Sequence, residues 1–306
     1  MLCDLMRPIL VRSPRSSMKL LGWLGAGFGA DNKFRKANPR YRAYWDRRLD
    51  AIVTTDLVSY SGRYSYYWGR FYDATHQAVL RHFLKNGDTY IDIGANFGYH
   101  SLLASRLVGE KGLVLSFEPH PETFKVMTAH MAMNRLFRCE ALNLALGDKP
   151  GKAELTQTDD THTGTSTLRG VARPARTFTV EIVRGDEVLA GRDFPGDVFV
   201  KIDVEGFEFR VLGGLRRTLS RVSAVSVEVT PEWLASQGAS ADQLYRGMID
   251  LGFVPYIARL QWKLKLFAPS LYLVRAGNPL AGQHDVLFIR ARSRLQDAAE
   301  ALLRAQ

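Results

Sequence analysis

Thr89-Tyr-Ile-Asp-Ile-Gly-Ala-Asn-Phe-Gly-Tyr-His100, followed by a helical run and then Gly112-Leu-Val-Leu-Ser-Phe-Glu118, decides how the chain is read. Tyr90, Ile91 and Ile93 form a short apolar strand bounded by Asp88 and Gly94. Val114, Leu115 and Phe117 form a second strand that ends on Glu118. Between them Leu102, Leu103 and Leu107 recur at near-helical spacing, which predicts a helix starting near Tyr99. A strand, a glycine turn, a helix and a strand ending in an acid make a unit that takes an adenosine-containing ligand at the carboxyl ends of its strands.

Each residue type has a chemical reason to be there. Gly94 and Gly98 permit positive φ and leave no side chain where a ligand meets the backbone. Asp92 closes the first strand and can accept hydrogen bonds from turn amides or a ligand ammonium. The helix from Tyr99 directs free N–H groups and the positive end of its dipole at a ligand carboxylate. Glu118, at the end of the next strand, can accept from both ribose hydroxyls. A nicotinamide fingerprint needs G-x-G-x-x-G, but Asn96 and Tyr99 stand where its second and third glycines belong. The D-x-G-A-N-x-G actually present resembles motif I of S-adenosylmethionine-dependent methyltransferases, whose cofactor has no pyrophosphate.

Composition bounds the rest. The 306 residues suit one large domain or one domain with extensions, and 46% hydrophobic content is ample for a packed core. Cys3 and Cys139 make neither a disulfide framework nor a metal-ligand spacing, so a reducing, cytoplasmic compartment is expected. No apolar run reaches membrane-spanning length, and the apolar Met18 to Ala30 reads as an interfacial or packed segment. Residues 1–87 hold 15 Lys and Arg against 6 Asp and Glu, whereas the remainder is nearly neutral. A basic N-terminal region attracts an anionic partner such as a membrane surface, or is simply a solvated face.

Two domains are expected: a basic, aromatic-rich extension over 1–74 and a cofactor-binding domain over 75–306. Residues 1 to about 50 read as irregular, and 51–72 as short strands with a turn at Gly62 among Tyr60, Tyr64, Tyr66, Tyr67, Trp68, Phe71 and Tyr72. An amphipathic helix over 74–85 turns Val79, Leu80, Phe83 and Leu84 inward. A helix over 121–134, a single strand over 139–146, a Thr-rich insertion over 156–167 and a strand over 177–184 follow. Val198-Phe-Val-Lys-Ile-Asp-Val-Glu-Gly206 is a buried strand ending in two acids and a glycine, with a helix from Glu208 to about Leu219 and a strand from Ala224 to Val229. A helix over 241–251, strands over 252–257 and 285–291, and a charged helix from Arg294 complete the chain. Strands alternating with helices predict an α/β fold with a doubly wound, mostly parallel sheet.

Asp92-Ile-Gly-Ala-Asn-Phe-Gly98, Glu118-Pro-His-Pro121, Asn143-Leu-Ala-Leu-Gly-Asp148 and Lys201-Ile-Asp-Val-Glu-Gly-Phe-Glu208 together resemble the FkbM family of S-adenosylmethionine-dependent methyltransferases, over roughly residues 75–257. The resemblance implies a Rossmann-like class I methyltransferase fold of seven strands, the last antiparallel. It implies O-methylation of a hydroxyl on a sugar, glycolipid or polyketide. By position, Asp92, Gly94, Asn96 and Gly98 would hold the methionine part and adenosine, Glu118 the ribose, and Asn143 and Ala145 the adenine edge. Asp203 and Glu205 would stand beside the transferred methyl.

A hydroxyl that attacks a methyl must lose its proton, so a positioned base helps. Asp203 or Glu205 is the expected base, with His100 and His162 as runners-up. The competing reading makes the two acids caps of the helix beginning near Glu208. Asp203 and Glu228 end adjacent strands and could hold Mg²⁺ with waters, but no third ligand is evident; a divalent metal is not favoured and no metal residues are assigned. A nucleic-acid methyltransferase using the basic N-terminus is the rival class. Base-methylating enzymes resemble an Asn/Asp-Pro-Pro-Tyr/Phe pattern after the fourth strand, where this chain has Asp203-Val-Glu-Gly, so no nucleic acid is favoured. Acceptor choice is expected from segments outside the resemblance, including Trp262-Lys-Leu-Lys-Leu-Phe267 with Tyr272 and Arg275.

Overall fold

The structure, a computed structural model, describes residues 41–57, 62, 65–67, 73–136, 138–157, 166–168, 170, 174–261, 269–277 and 281–303. The readings of Met18–Ala30, of the aromatics at 60, 64, 68, 71 and 72, of His162 and of residues 262–267 lie outside these. The chain divides into two compact units, Met1–Ala74 and Thr75–Gln306.

In the first unit β1 (Tyr41–Asp46) and β2 (Ala51–Asp56) pair antiparallel, Tyr44 opposite Val53. This corrects the expectation of irregular chain up to residue 50. Arginines interleaved with aromatics fit an edge strand with alternate residues exposed, and Asp46 closes the turn by accepting from the amides of Arg48 and Leu49. The Tyr44 and Tyr66 rings meet edge to face with centroids 5.3 Å apart.

The second unit begins with α1 (Ala74–Phe83), which buries Val79, Leu80 and Phe83 as expected. Then come β3 (Thr89–Ile93), α2 (Tyr99–Val108), β4 (Leu113–Phe117), α3 (Pro121–Met133) and β5 (Cys139–Leu142). The predicted strand over 139–146 is in fact two strands. The chain leaves the main sheet after Leu142, and β6 (Ala145–Gly147) joins β7 (Gly151–Gln157), β8 (Ser166–Thr167) and β9 (Arg176–Arg184) in a separate sheet ordered β6-β9-β7-β8. After α4 (Gly185–Val188) follow β10 (Val198–Ile202), α5 (Glu208–Gly214), β11 (Ala224–Val229), α6 (Pro231–Ser236), α7 (Ala241–Asp250), β12 (Phe253–Gln261), β13 (Ser270–Arg275), β14 (His284–Arg290) and α8 (Arg294–Glu300).

The main sheet runs β13-β12-β14-β11-β10-β3-β4-β5. Strands β5, β4, β3, β10 and β11 are parallel, and β14 enters antiparallel between β11 and β12. Seven of these strands are the expected Rossmann-like class I set. The eighth, β13, is an added edge strand on β12. Every residue of β3, β4 and β10 is buried, as strands covered on both faces require. On one face Ile91, Ile93, Val198, Val200, Ile202, Val225 and Val227 pack with Val211, Leu212 and Leu215 around α5 and with Leu244 and Met248 of α7. On the other face α2 lies against β3 and β4.

The chain passes from β3 to β4 on one side and returns later to β10 on the other. The carboxyl ends of β3 and β10 therefore flank the topological switch point, where open α/β sheets bind ligands. Among the described residues no helix is long and apolar enough to cross a membrane.

Candidate active site

The turn after β3 carries three positive φ values in five residues: Gly94 at 80°, Asn96 at 52° and Gly98 at 76°. The two glycines answer to internal packing. A Cβ on Gly94 would stand 1.9 Å from the Asp203 carbonyl oxygen, and one on Gly98 would stand 2.7 Å from Cγ of Met127. Gly98 also caps α2 in a left-handed conformation with no side-chain acceptor on the first-turn amides. The amides of Gly94 and Ala95 both donate to the Phe117 carbonyl at 3.0 Å, and the Asp203 amide donates to the Ile93 carbonyl at 3.0 Å. The turn is thus sewn to β4 on one side and β10 on the other.

Asp92 lies beneath this turn, wholly buried. Its Oδ2 accepts from Ser101 Oγ at 2.6 Å, Ser101 Oγ accepts in turn from Ser116, and Oδ1 has no hydrogen-bond partner. Burial raises its pKa, and Lys201 and Ser101 oppose that rise. Glu118 uses both carboxylate oxygens on the backbone. Oε2 accepts from the Asn96 amide and Oε1 from the His120 amide, each at 2.8 Å. Burial pushes the Glu118 carboxyl up to about 7; the two amides pull it down, and the charges of Asp92 and Asp203 push it up further. Asn143 is exposed, and its Nδ2 donates to the carbonyls of Glu118 and Pro119 at 2.8 and 3.1 Å. Ala145 is buried in the small sheet. The Asn96 Oδ1 is buried without a hydrogen-bond partner.

His120 was not singled out from the sequence. Its Nδ1 accepts from the amides of Glu122 and Thr123 at the start of α3, which leaves Nε2–H to donate to Gln157 Oε1 at 3.3 Å. The signal was available: a His directly before Pro121, at the N-cap of a predicted helix. Gln157 ends β7, and Thr167 of β8 donates from Oγ1 to the Glu205 carbonyl at 2.7 Å. The small sheet therefore touches both the Glu118 loop and the Glu205 loop.

At the end of β10, Asp203 keeps 35% of its side chain exposed while Lys201, 7% exposed, donates from Nζ to its Oδ2 at 2.8 Å. Glu205 has φ 56°. The helix-capping role belongs to Glu208. Its Oε1 accepts from the amides of Gly206 at 2.9 Å and Val204 at 3.3 Å, and no side chain caps α5 at Phe207. Burial pushes Glu208 up to about 7. Asp203 and Glu205 stand in the connection between β10 and α5. Glu228, from β11, joins them: the three residues offer carboxylate oxygens all within 4.8 Å of one another. Gln283 Nε2 donates to Glu228 Oε1 at 2.6 Å. Burial first, then the charges of Asp203 and Glu205, push Glu228 up to about 9.

His100 packs its ring edge to face against His76 at 4.7 Å. Burial, then His76 and Lys201, hold it well below its ordinary pKa. Arg275 is paired with Glu300 at 2.7 Å and Tyr272 lies in the edge strand β13. Arg275 is thereby linked to α8 by an ion pair in which its own side chain stays 57% exposed.

A parallel sheet with an inserted antiparallel strand, a glycine turn at its switch point and acids at the neighbouring strand ends define a class I methyltransferase fold. Residues 92–255, more than half of the chain, match the Methyltransferase FkbM domain, and the chain belongs to that family. It is 29% identical over 158 residues to the hexuronic acid methyltransferase AglP of Haloferax volcanii; the match covers 50% of this chain and 62% of that protein, so the chain spans under two thirds of the relative's length. Among solved structures, the methyltransferase FkbM of Methylobacillus flagellatus aligns at 14% identity and TM-score 0.41, covering 67% of this chain and 44% of that one. An S-adenosylmethionine-dependent O-methyltransferase of Thermotoga maritima aligns at 12% identity and TM-score 0.37, covering 74% and 68%.

Proposed function

We infer that the protein is an S-adenosylmethionine-dependent O-methyltransferase whose acceptor is a hydroxyl on a sugar or glycolipid. The contact between Gly94 and the Asp203 backbone carries the reading, because the cofactor turn then stands directly beside a strand-end acid that is anchored at one oxygen and keeps 35% of its side chain exposed. In this reading Asp92, Gly94, Asn96 and Gly98 would hold the cofactor, with Glu118, Asn143 and Ala145 serving its adenosine. Glu118 meets the ribose with the lone pairs its amide partners leave. When bound, S-adenosylmethionine would supply an electrophilic methyl on a sulfonium, and Asp203 or Glu205 would take the proton of the acceptor hydroxyl. Alignment of oxygen, methyl and sulfur is the larger part of the catalysis.

The relative's name, a hexuronic acid methyltransferase, supports an acidic sugar as the first acceptor to try. The test is calorimetry with S-adenosylmethionine and with NAD, followed by labelled methyl transfer to glycans with and without a uronic acid. Binding of the sulfonium cofactor and labelling of the uronic acid glycan are expected. Tight NAD binding, or no transfer to any sugar, overturns the reading.

A second reading follows from the trio Asp203, Glu205 and Glu228, in which Glu205 supplies the third oxygen donor that was not apparent in the sequence. These residues would hold a divalent cation, which when bound would polarise the acceptor oxygen. The excess of Lys and Arg over residues 1–87 supports contact with an anionic membrane surface, testable by flotation on vesicles with and without phosphatidylglycerol.

A further inference from the structure

One face of the main sheet carries a row of polar side chains through its centre. Ser116 pairs in register with Asp92, Asp92 with Lys201, and Lys201 with Ser226. All four are buried. Above them His76 of α1 shares hydrogen bonds with Tyr90 Oη at 3.2 Å and Ser226 Oγ at 3.3 Å, and burial, then Lys201, hold it well below its ordinary pKa. A lysine inside such a layer has to end on an acid, and this one passes along its own strand to Asp203 Oδ2 at 2.8 Å.

We propose that Lys201 is a positioning residue for methyl transfer: its ammonium, rooted in the polar row beneath the cofactor turn, fixes Asp203 so that the second carboxylate oxygen faces the acceptor hydroxyl. The assignment rests on the methyltransferase reading and adds to it the group that aims the base. In this assignment Lys201 acts through Asp203 and not directly on cofactor or acceptor. Its partner Asp203 is held at one oxygen only, and its side chain keeps 35% exposure for the other. A charge-assisted bond of this length restricts the carboxylate rotamer more than a neutral donor would. The backbone of Asp203 is independently fixed by the Ile93 carbonyl and by Gly94, so the side-chain bond decides direction alone.

Lys201→Met, Lys201→Arg and Asp203→Asn are compared with the wild type in the full chain. Lys201→Met is expected to lower kcat about 10²-fold, the range for a misplaced general base, with KM for S-adenosylmethionine within about threefold. Lys201→Arg, which keeps the charged donor, is expected to recover at least a tenth of wild-type kcat. Equal losses in cofactor affinity, thermal stability and kcat, or full activity in Lys201→Met, overturn the proposal. A second readout needs no turnover. In ¹H–¹⁵N spectra of lysine ammonium groups, the Lys201 signal is expected to be protected from solvent exchange and to lose that protection in Asp203→Asn. An unchanged signal in Asp203→Asn overturns the pairing whatever the enzyme methylates. A protected signal in a wild type that methylates nothing keeps the pairing, and it is then the methyltransferase reading that fails.

Discussion

A Cβ on Gly94 would lie 1.9 Å from the carbonyl oxygen of Asp203, so the turn after β3 and the end of β10 meet backbone to backbone. The two motifs most separated in sequence are one structural joint, and Gly94 at φ 80° is its pivot. Gly94→Ala is expected to cost several kcal/mol: about 1–3 for the left-handed backbone and more for displacing the Asp203 carbonyl. Denaturant unfolding measures it. A stable Gly94→Ala variant with wild-type cofactor affinity contradicts the joint.

Cofactor binding is expected to be proton-linked through Glu118. The free protein holds this carboxyl near 7, well above 4.5, because it is buried. Ribose hydroxyls would donate to the ionised form, so binding lowers the pKa. Calorimetry at pH 6.5 in buffers of different ionisation enthalpy should show proton release, with affinity rising up to about pH 7. The same group gives the folded chain a raised pKa. The native state then binds the extra proton, and stability falls as pH rises from 4.5 toward 7. Absence of any buffer dependence removes Glu118 from the ribose.

Glu208 and the pair Asp203 and Glu205 should separate cleanly in mutants. Glu208→Ala leaves the amides of Val204 and Gly206 without their acceptor and is expected to cost about 1–3 kcal/mol. Glu205→Gln is expected to change stability by under about 0.5 kcal/mol, whereas Asp203→Asn leaves the buried Lys201 ammonium without its anion and is expected to cost about 1–3 kcal/mol; turnover falls, for whichever is the base, by about 10²–10⁴-fold. Thermal melts beside single-turnover rates distinguish them. Unfolding of Asp203→Asn would return that acid to a structural role.

The carboxylate trio gives a direct test of metal use. If a divalent cation sits among Asp203, Glu205 and Glu228, dialysis against EDTA abolishes transfer, Mg²⁺ restores it, and Glu228→Gln needs far more Mg²⁺ for half-activity. Unchanged activity in EDTA leaves Glu228 as a protonated neighbour of the base, consistent with a carboxyl pushed up to about 9.

The amino-acid sequence by itself determined the strand, glycine turn, helix and strand of residues 89–117, the burial of α1 and the strand ending at Asp203. Each depends on short-range patterns: continuous apolar runs for parallel strands, 3.6-residue spacing for helices, glycine where φ turns positive. Tertiary structure alone decided the rest, because those features depend on partners far along the chain. Residues 139–147 divide between two sheets since β6 finds its partner in β9, Ala145 opposite Ile182, and no local signal marks the break at Leu142. The edge strand β13 exists through pairing with β12 rather than through its own pattern. Glu118, read as the ribose acceptor, also holds two loop amides; the competing reading of Asp203 and Glu205 as helix caps gives way because Glu208 folds back to take that role. A carboxylate's character is set by which donors reach it and how far it is withdrawn from water, and both are properties of the assembled fold.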